Sequence, residues 1–213
     1  MNLTKFSKSA ALAAVLSVGA GAANAAACLV SDVTFSSTYP TGAQNADECS
    51  NALDGSGNKP NQTDLDNTFG FGFVEGVTLG SASAGTATGA TNVLGGFKFT
   101  LSGLTATTSG EYSLTIEDTN GSASPNLPFY LDFVLYLKGG NDDTAAYFFD
   151  DTLVDSEGGG AWNVTFLNNG NQIPSLSNIS LYVRNGTEVP EPGSIALLGL
   201  GLLGLATARR RRS

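Results

Sequence analysis

From Cys28 to Arg184 the chain repeatedly alternates apolar and polar positions with a period of two rather than 3.6. "FKFTL" sets Phe97, Phe99 and Leu101 against Lys98 and Thr100, and "YSLTI" aligns Tyr112, Leu114 and Ile116. "FYLDFVLYL" puts Phe129, Leu131, Phe133, Leu135 and Leu137 on one side, "WNVTF" aligns Trp162, Val164 and Phe166, and "ISLYV" aligns Ile179, Leu181 and Val183. Such alternation, rich in β-branched and aromatic residues, predicts half-buried antiparallel strands. Further strands are expected around residues 29–35, 70–79 and 146–150, with a short helical turn near 46–53. "TNGSASPN", "KGGNDD", "DSEGGGA" and "NNGNQ" supply the turn chemistry between them. The low-complexity run "GSASAGTATGATN" at 80–92 reads as a loop. The expected fold over residues 26–187 is all-β, an antiparallel β-sandwich of jelly-roll type, with a barrel as second choice.

Both ends depart from this pattern. Lys5 and Lys8 precede the apolar run "AALAAVLSVGA", and Ala23 and Ala25 place small residues where a signal peptidase cuts. Residues 1–25 therefore read as a signal peptide, with cleavage before Ala26. At the other end, residues 188–213 hold a Pro-Glu-Pro sequence, an apolar run and four arginines. A helix over about 193–208 would nearly span a hydrocarbon core, at 1.5 Å per residue. Arg209, Arg210, Arg211 and Arg212 would stay cytoplasmic and leave the preceding domain outside. "GLGLLG" matches the spacing of a dinucleotide loop, but no strand precedes it and no acid follows, so it carries no nucleotide site.

Charge narrows the chemistry. Between residues 26 and 187 four cations face seventeen acids, a net charge of −13. Such a body repels nucleic acid and anionic lipid, which excludes a nucleic-acid function. The chain contains no histidine, so it has no imidazole base and no imidazole metal ligand. Cys28 and Cys49 are the two cysteines of an exported chain and are expected to form one disulfide. Free thiols or a metal pair are the alternatives, and without CxxC spacing zinc fits poorly. The acidic clusters Asp64/Asp66, Asp142/Asp143 and Asp150/Asp151/Asp155/Glu157 fall in or beside turns. They read first as solvated turn residues; calcium is the one cofactor their oxygens suit, and no calcium-loop motif is present, so the metal stays unassigned. Trp162 reads as core. Tyr130 and Tyr136, beside Asp132, read either as a stacking surface for sugars or as the second face of a doubly buried strand.

Val189-Pro190-Glu191-Pro192-Gly193, the glycine- and leucine-rich run and the terminal arginines, in that order, closely resemble the PEP-CTERM sorting signal, also labelled ice-binding protein C-terminal motif. "LSNISLYVR" at 176–184 looks like the strand that often precedes it. The resemblance implies a protein of a Gram-negative bacterium, exported by the general secretion machinery and anchored transiently in the inner membrane. An exosortase is then the processing partner, with Pro190, Glu191 and Pro192 as recognition residues of a substrate. It further implies release to the cell surface or matrix, with an association with biofilm and exopolysaccharide. The expected role is non-enzymatic. A carbohydrate- or calcium-binding module is the alternative, and a small glycan hydrolase is third.

Overall fold

The structure, a computed structural model, describes residues 27–187 apart from 39–41, 52, 54, 57–58, 81–83, 91, 122–125, 141–142 and 169. After a 3-10 turn (Val30–Asp32) come β1 (Thr34–Ser37), β2 (Gln44–Asn45), β3 (Glu48–Ser50), β4 (Gly55–Ser56), β5 (Lys59–Pro60) and α1 (Gln62–Phe69). Then follow β6 (Val74–Leu79), β7 (Ala84–Thr88), β8 (Phe97–Leu104), β9 (Ser109–Asp118) and β10 (Phe129–Gly139). Last come β11 (Thr144–Val154), β12 (Glu157–Asn163) and β13 (Leu176–Asn185). One sheet has the order β2-β1-β12-β9-β8-β7, the other β3-β11-β10-β13-β6, and β4-β5 form a separate hairpin.

Alternation fixes which side chains meet between the sheets. Phe97, Phe99, Leu101, Tyr112, Leu114, Ile116 and Trp162 face Leu131, Phe133, Leu135, Tyr147, Phe149, Ile179 and Leu181 in one buried cluster. Phe35 meets Phe133 edge-on at 4.9 Å between ring centres, and Phe133 stacks on Phe149 at 4.5 Å. Each such ring removes on the order of 150–250 Å² from water. The two sheets are closed at both seams. Ala46 and Asp47 connect β2 to β3 across the layers, and Asp47 N–H donates to the Phe148 carbonyl. At the opposite seam Gly89 lies so close to β6 that a Cβ there would sit 1.8 Å from the Gly76 oxygen.

β10 is buried on both faces. Its second face places Val134 and Tyr136 with Ala146, Phe148 and Tyr182 beneath Leu53, Leu65, Phe69 and Phe73. The lid is the segment holding α1, started by Asn61, whose side chain accepts the Thr63 N–H, and ended by Gly70 at φ 92°. Its apolar residues Leu65 and Phe69 are four apart, so they share the face laid on the sheet. Burial is therefore the outcome for Tyr136, and Trp162 is core, 2% exposed.

Several expectations are corrected. The helix lies at Gln62–Phe69 and residues 48–50 form β3, because Cys49 pairs with Tyr147 of β11 rather than coiling locally. The run at 80–92 contains β7, whose Thr86 and Thr88 lie opposite Ser102 and Thr100. "DSEGGGA" is mostly strand: β12 begins at Glu157 and ends at Asn163, so Val164 and Phe166 are buried beyond it. Its glycines allow close packing, since a Cβ on Gly160 would stand 1.9 Å from the Thr34 oxygen. The first strand starts at Thr34, after the 3-10 turn, and β6 starts only at Val74, because residues 70–73 lead out of the α1 cap at Gly70 and carry Phe73 onto the second face of β10. β11 extends well beyond 146–150, since β10 pairs with it along nearly its whole length. The sandwich stands, but the jelly-roll winding does not: β7, β8 and β9 are successive neighbours in one sheet, and β10 and β11 form a hairpin in the other.

Candidate functional site

Cys28 and Cys49 are joined as a disulfide, with Cα atoms 6.1 Å apart. The bond ties the start of the domain to edge strand β3. Just beyond it the buried Asp32 carboxylate accepts from the Leu29 N–H at 2.8 Å, the Thr165 hydroxyl at 2.6 Å and the Tyr147 hydroxyl at 3.3 Å. Burial, and then the Asp32 charge, push the Tyr147 phenol far above its ordinary value. The knot anchors the N-terminal segment and offers no open site.

The acidic clusters do not assemble as their spacing along the chain suggests. Asp66 accepts from Gln62 one helical turn away, at 2.9 Å, and Asp155 caps the Ser156 N–H. Asp142 lies outside the described residues. The carboxylates that do converge are Asp150 and Asp151 with Asp132, their oxygens all within 4.8 Å of one another. A register shift between Leu131 and Phe133 places two β11 residues opposite one of β10, and Asp151 takes up φ 40°. A bulge of this kind turns adjacent side chains to one side. Sequence spacing left Asp132 out of the group because the bulge has no local signature beyond the doubled aspartate.

Two members of the trio are already engaged. Asp132 accepts from Arg184 Nε at 2.6 Å and from the Asp151 N–H at 2.8 Å. Arg184 also donates to the carbonyls of Phe69 and Phe71 and lies 4.4 Å from the centre of the Phe73 ring. Asp151 accepts from both the N–H and the hydroxyl of Thr187. Only the Asp150 carboxylate has no hydrogen-bond partner among the described residues. Partial burial raises its pKa, followed by the charges of Asp132, Asp151 and Asp47, with Arg184 opposing. One free carboxylate on an open sheet surface does not supply the acid and nucleophile that glycoside cleavage needs. The trio works chiefly as a clamp, linking α1, β10, β11 and the end of β13 around Arg184.

Beside the clamp lies the larger described hollow, of about 510 Å³, lined by Pro128, Phe129, Tyr130, Leu153, Asn185 and Gly186. Of its lining residues, Tyr130 and Leu153 are paired on the outer face of β10 and β11, whereas Phe129 and Asn185 lie on the side of Leu131, so the hollow sits at the end of the sheet. A second hollow, of about 190 Å³, sits on the outer face of the six-stranded sheet beside Ser102, Glu111 and Ser113. That face carries two hydroxyl rows in register, Thr86–Ser102–Ser113 and Thr88–Thr100–Thr115. Neighbouring hydroxyls satisfy one another, as Thr86 and Ser102 do at 2.9 Å.

Ala23, Ala25, Pro190, Glu191, Pro192 and Arg209 to Arg212 lie outside the described residues. Among the described residues no helix is long and apolar enough to cross a membrane. The last strand ends at Asn185, and the clamp reaches Thr187. One residue later, over 188–212, the chain matches a family model described as the PEP-CTERM protein-sorting motif. No curated protein and no solved structure matches the chain.

Proposed function

We propose that this chain is an exported, non-enzymatic β-sandwich, delivered through the exosortase route to the surface or matrix of a Gram-negative cell that produces exopolysaccharide. The signal peptide starts export, and the apolar tail with Arg209 to Arg212 holds the chain briefly in the inner membrane. Pro190, Glu191 and Pro192 present the extended segment on which the exosortase acts. The match to the sorting motif at 188–212, directly after the clamp that ends the folded domain, carries this reading. Proline on both sides of Glu191 opposes regular structure there and keeps the segment open to a processing enzyme.

The folded part is suited to such a destination. Seventeen acids against four cations keep it soluble outside the cell. The disulfide and the closed seams hold it together where no chaperone acts. The test replaces Pro190, Glu191 and Pro192 together by alanine and fractionates the producing cells. The wild-type chain is expected at the surface and in the medium, and the variant in the inner membrane at full length. Equal distribution of the two would end the reading.

A further inference from the structure

We propose that Lys138 and Asn178 are joined through their side chains by an intramolecular amide bond, formed without an enzyme once the domain has folded. The proposal goes beyond the sorting reading and does not depend on it. Of the three lysines in the folded domain, Lys59 and Lys98 pair with Glu75 and Glu117 near the surface, whereas Lys138 is buried, 7% exposed. Lysine is rarely buried, and this one belongs neither to the Arg184 clamp nor to the Asp32 knot.

Strand register supplies its partner. Lys138 of β10 stands directly opposite Asn178 of β13 and Thr144 of β11. Side chains so paired point to one face, with Cβ atoms about 4.5–5.5 Å apart, within reach of a lysine that folds over its neighbour. The face is the second one of β10, two residues beyond Tyr136. The Thr144 hydroxyl donates to the Leu53 carbonyl of the covering segment at 3.0 Å. At the far end of the row a Cβ on Gly80, just beyond the Leu79–Ile179 pair, would stand 3.8 Å from Asn178 Nδ2. Asn178 is 2% exposed, and its Nδ2 has no hydrogen-bond partner among the described residues. Folded proteins rarely leave a buried amide donor unsatisfied, and here that nitrogen is the leaving group.

The step balances without a co-reactant. Deprotonated Lys138 Nζ attacks Asn178 Cγ, a carbon–nitrogen bond forms, the Cγ–Nδ2 bond breaks, and the amide nitrogen leaves with two lysine protons as ammonium. No electrons change hands. Water, the competing nucleophile, is kept away by the covering segment. In the neighbouring row Thr78 Oγ1 lies 2.9 Å from Ser180 Oγ and 2.9 Å from Glu75 Oε1, a chain able to exchange protons with a carboxylate. The bond ties β13, the last strand of the domain, to the central strand of its sheet, as the disulfide ties the start of the domain to β3.

The test weighs the whole protein, purified from its producing cells, reduced and denatured, with both ends fixed by sequencing the terminal peptides. A mass about 17 Da below the one its composition requires is expected, one ammonia lost. Digestion is expected to release one branched peptide that contains both Lys138 and Asn178. Lys138→Arg and Asn178→Ala are each expected at full mass and without the branched peptide. If neither variant folds, the wild-type mass and its branched peptide still decide. Wild-type protein at full mass, a gain of about 1 Da from hydrolysis of Asn178 to aspartate, or a branch between other residues would overturn the proposal. The ends are read separately, so an unprocessed tail, which bears on the sorting reading, leaves this result unaffected.

Discussion

Replacing Arg184 by methionine tests the clamp directly. Methionine keeps most of the stem that packs against Phe73 and Phe148 but removes the guanidinium. Asp132, whose side chain is 7% exposed, is then left without its partner and beside two other carboxylates. Breaking a buried pair in this way costs roughly 3–5 kcal/mol. The Arg184 side chain is 23% exposed, which places the cost toward the lower end. Losing the cation over the Phe73 ring adds about 0.5–1 kcal/mol, so the variant should lose about 3–4 kcal/mol in total. Asp132→Asn alone should cost about 2 kcal/mol, because it loses the charge but keeps an acceptor for the Asp151 N–H. Once the carboxylate is gone the guanidinium has less to compensate, so the double variant should cost about 1.5–2 kcal/mol less than the summed singles. Urea unfolding followed by fluorescence reads all of this, since Trp162 is the sole tryptophan and is buried. A loss below about 1 kcal/mol for Arg184→Met, or singles that add within about 0.5 kcal/mol, would refute the argument.

Four further outcomes follow from the same structure. Replacing Cys28 and Cys49 by serine opens a loop of 21-residue separation and should cost roughly 3 kcal/mol, read as a lower urea midpoint. Gly160→Ala forces a Cβ onto the Thr34 oxygen and should cost about 2–3 kcal/mol, with hydrogen exchange accelerated first in β1. The Asn126 and Asn120 N–H groups hold the Asp118 carboxyl below its ordinary value. Its contribution is present above the unfolded value of about 4 and lost as pH falls through the folded one, so Asp118→Asn should flatten the acid limb of a stability profile. Asp150 is shifted the other way: its charge opposes folding above its folded pKa, and the penalty lifts as pH falls. Asp150→Asn should therefore be neutral or stabilising by up to about 0.5 kcal/mol near pH 7, and Ca²⁺ at about 1 mM should leave the wild-type midpoint unchanged. A midpoint raised by calcium in the wild type and not in Asp150→Asn would make the trio a cation site.

The strands with large alternating residues were legible because burial of one face imposes a period of two. Phe97, Phe99 and Leu101 of β8 and Tyr112, Leu114 and Ile116 of β9 needed nothing more. β7 escaped notice because alanine and threonine give little contrast, although Thr86-Ala87-Thr88 alternates in the same way. β12 was obscured by glycines that serve its contact with β1, a tertiary requirement without a local pattern. α1 presents only Leu65 and Phe69 as apolar anchors, too few for a helical period to stand out. The double burial of β10 was written in Val134 and Tyr136, but its cause, the segment from Leu53 to Phe73, lies some seventy residues away. The clamp depends on a bulge, and bulges follow from pairing between strands rather than from either strand alone. The sorting motif at 188–212 needed no structure to be read, because its Pro-Glu-Pro, apolar and arginine segments follow one another in the linear chain.

Intact mass of the protein recovered separately from cytosol, inner membrane and medium, with and without the exosortase, tests the central claim most directly. The account predicts a medium form that begins at Ala26, carries the Cys28–Cys49 bond and has lost the residues after the Pro-Glu-Pro segment, and a full-length tail in the membrane when the enzyme is absent. A mature product in the cytosol ending at Ser213, or the same C-terminus in both strains, would contradict it.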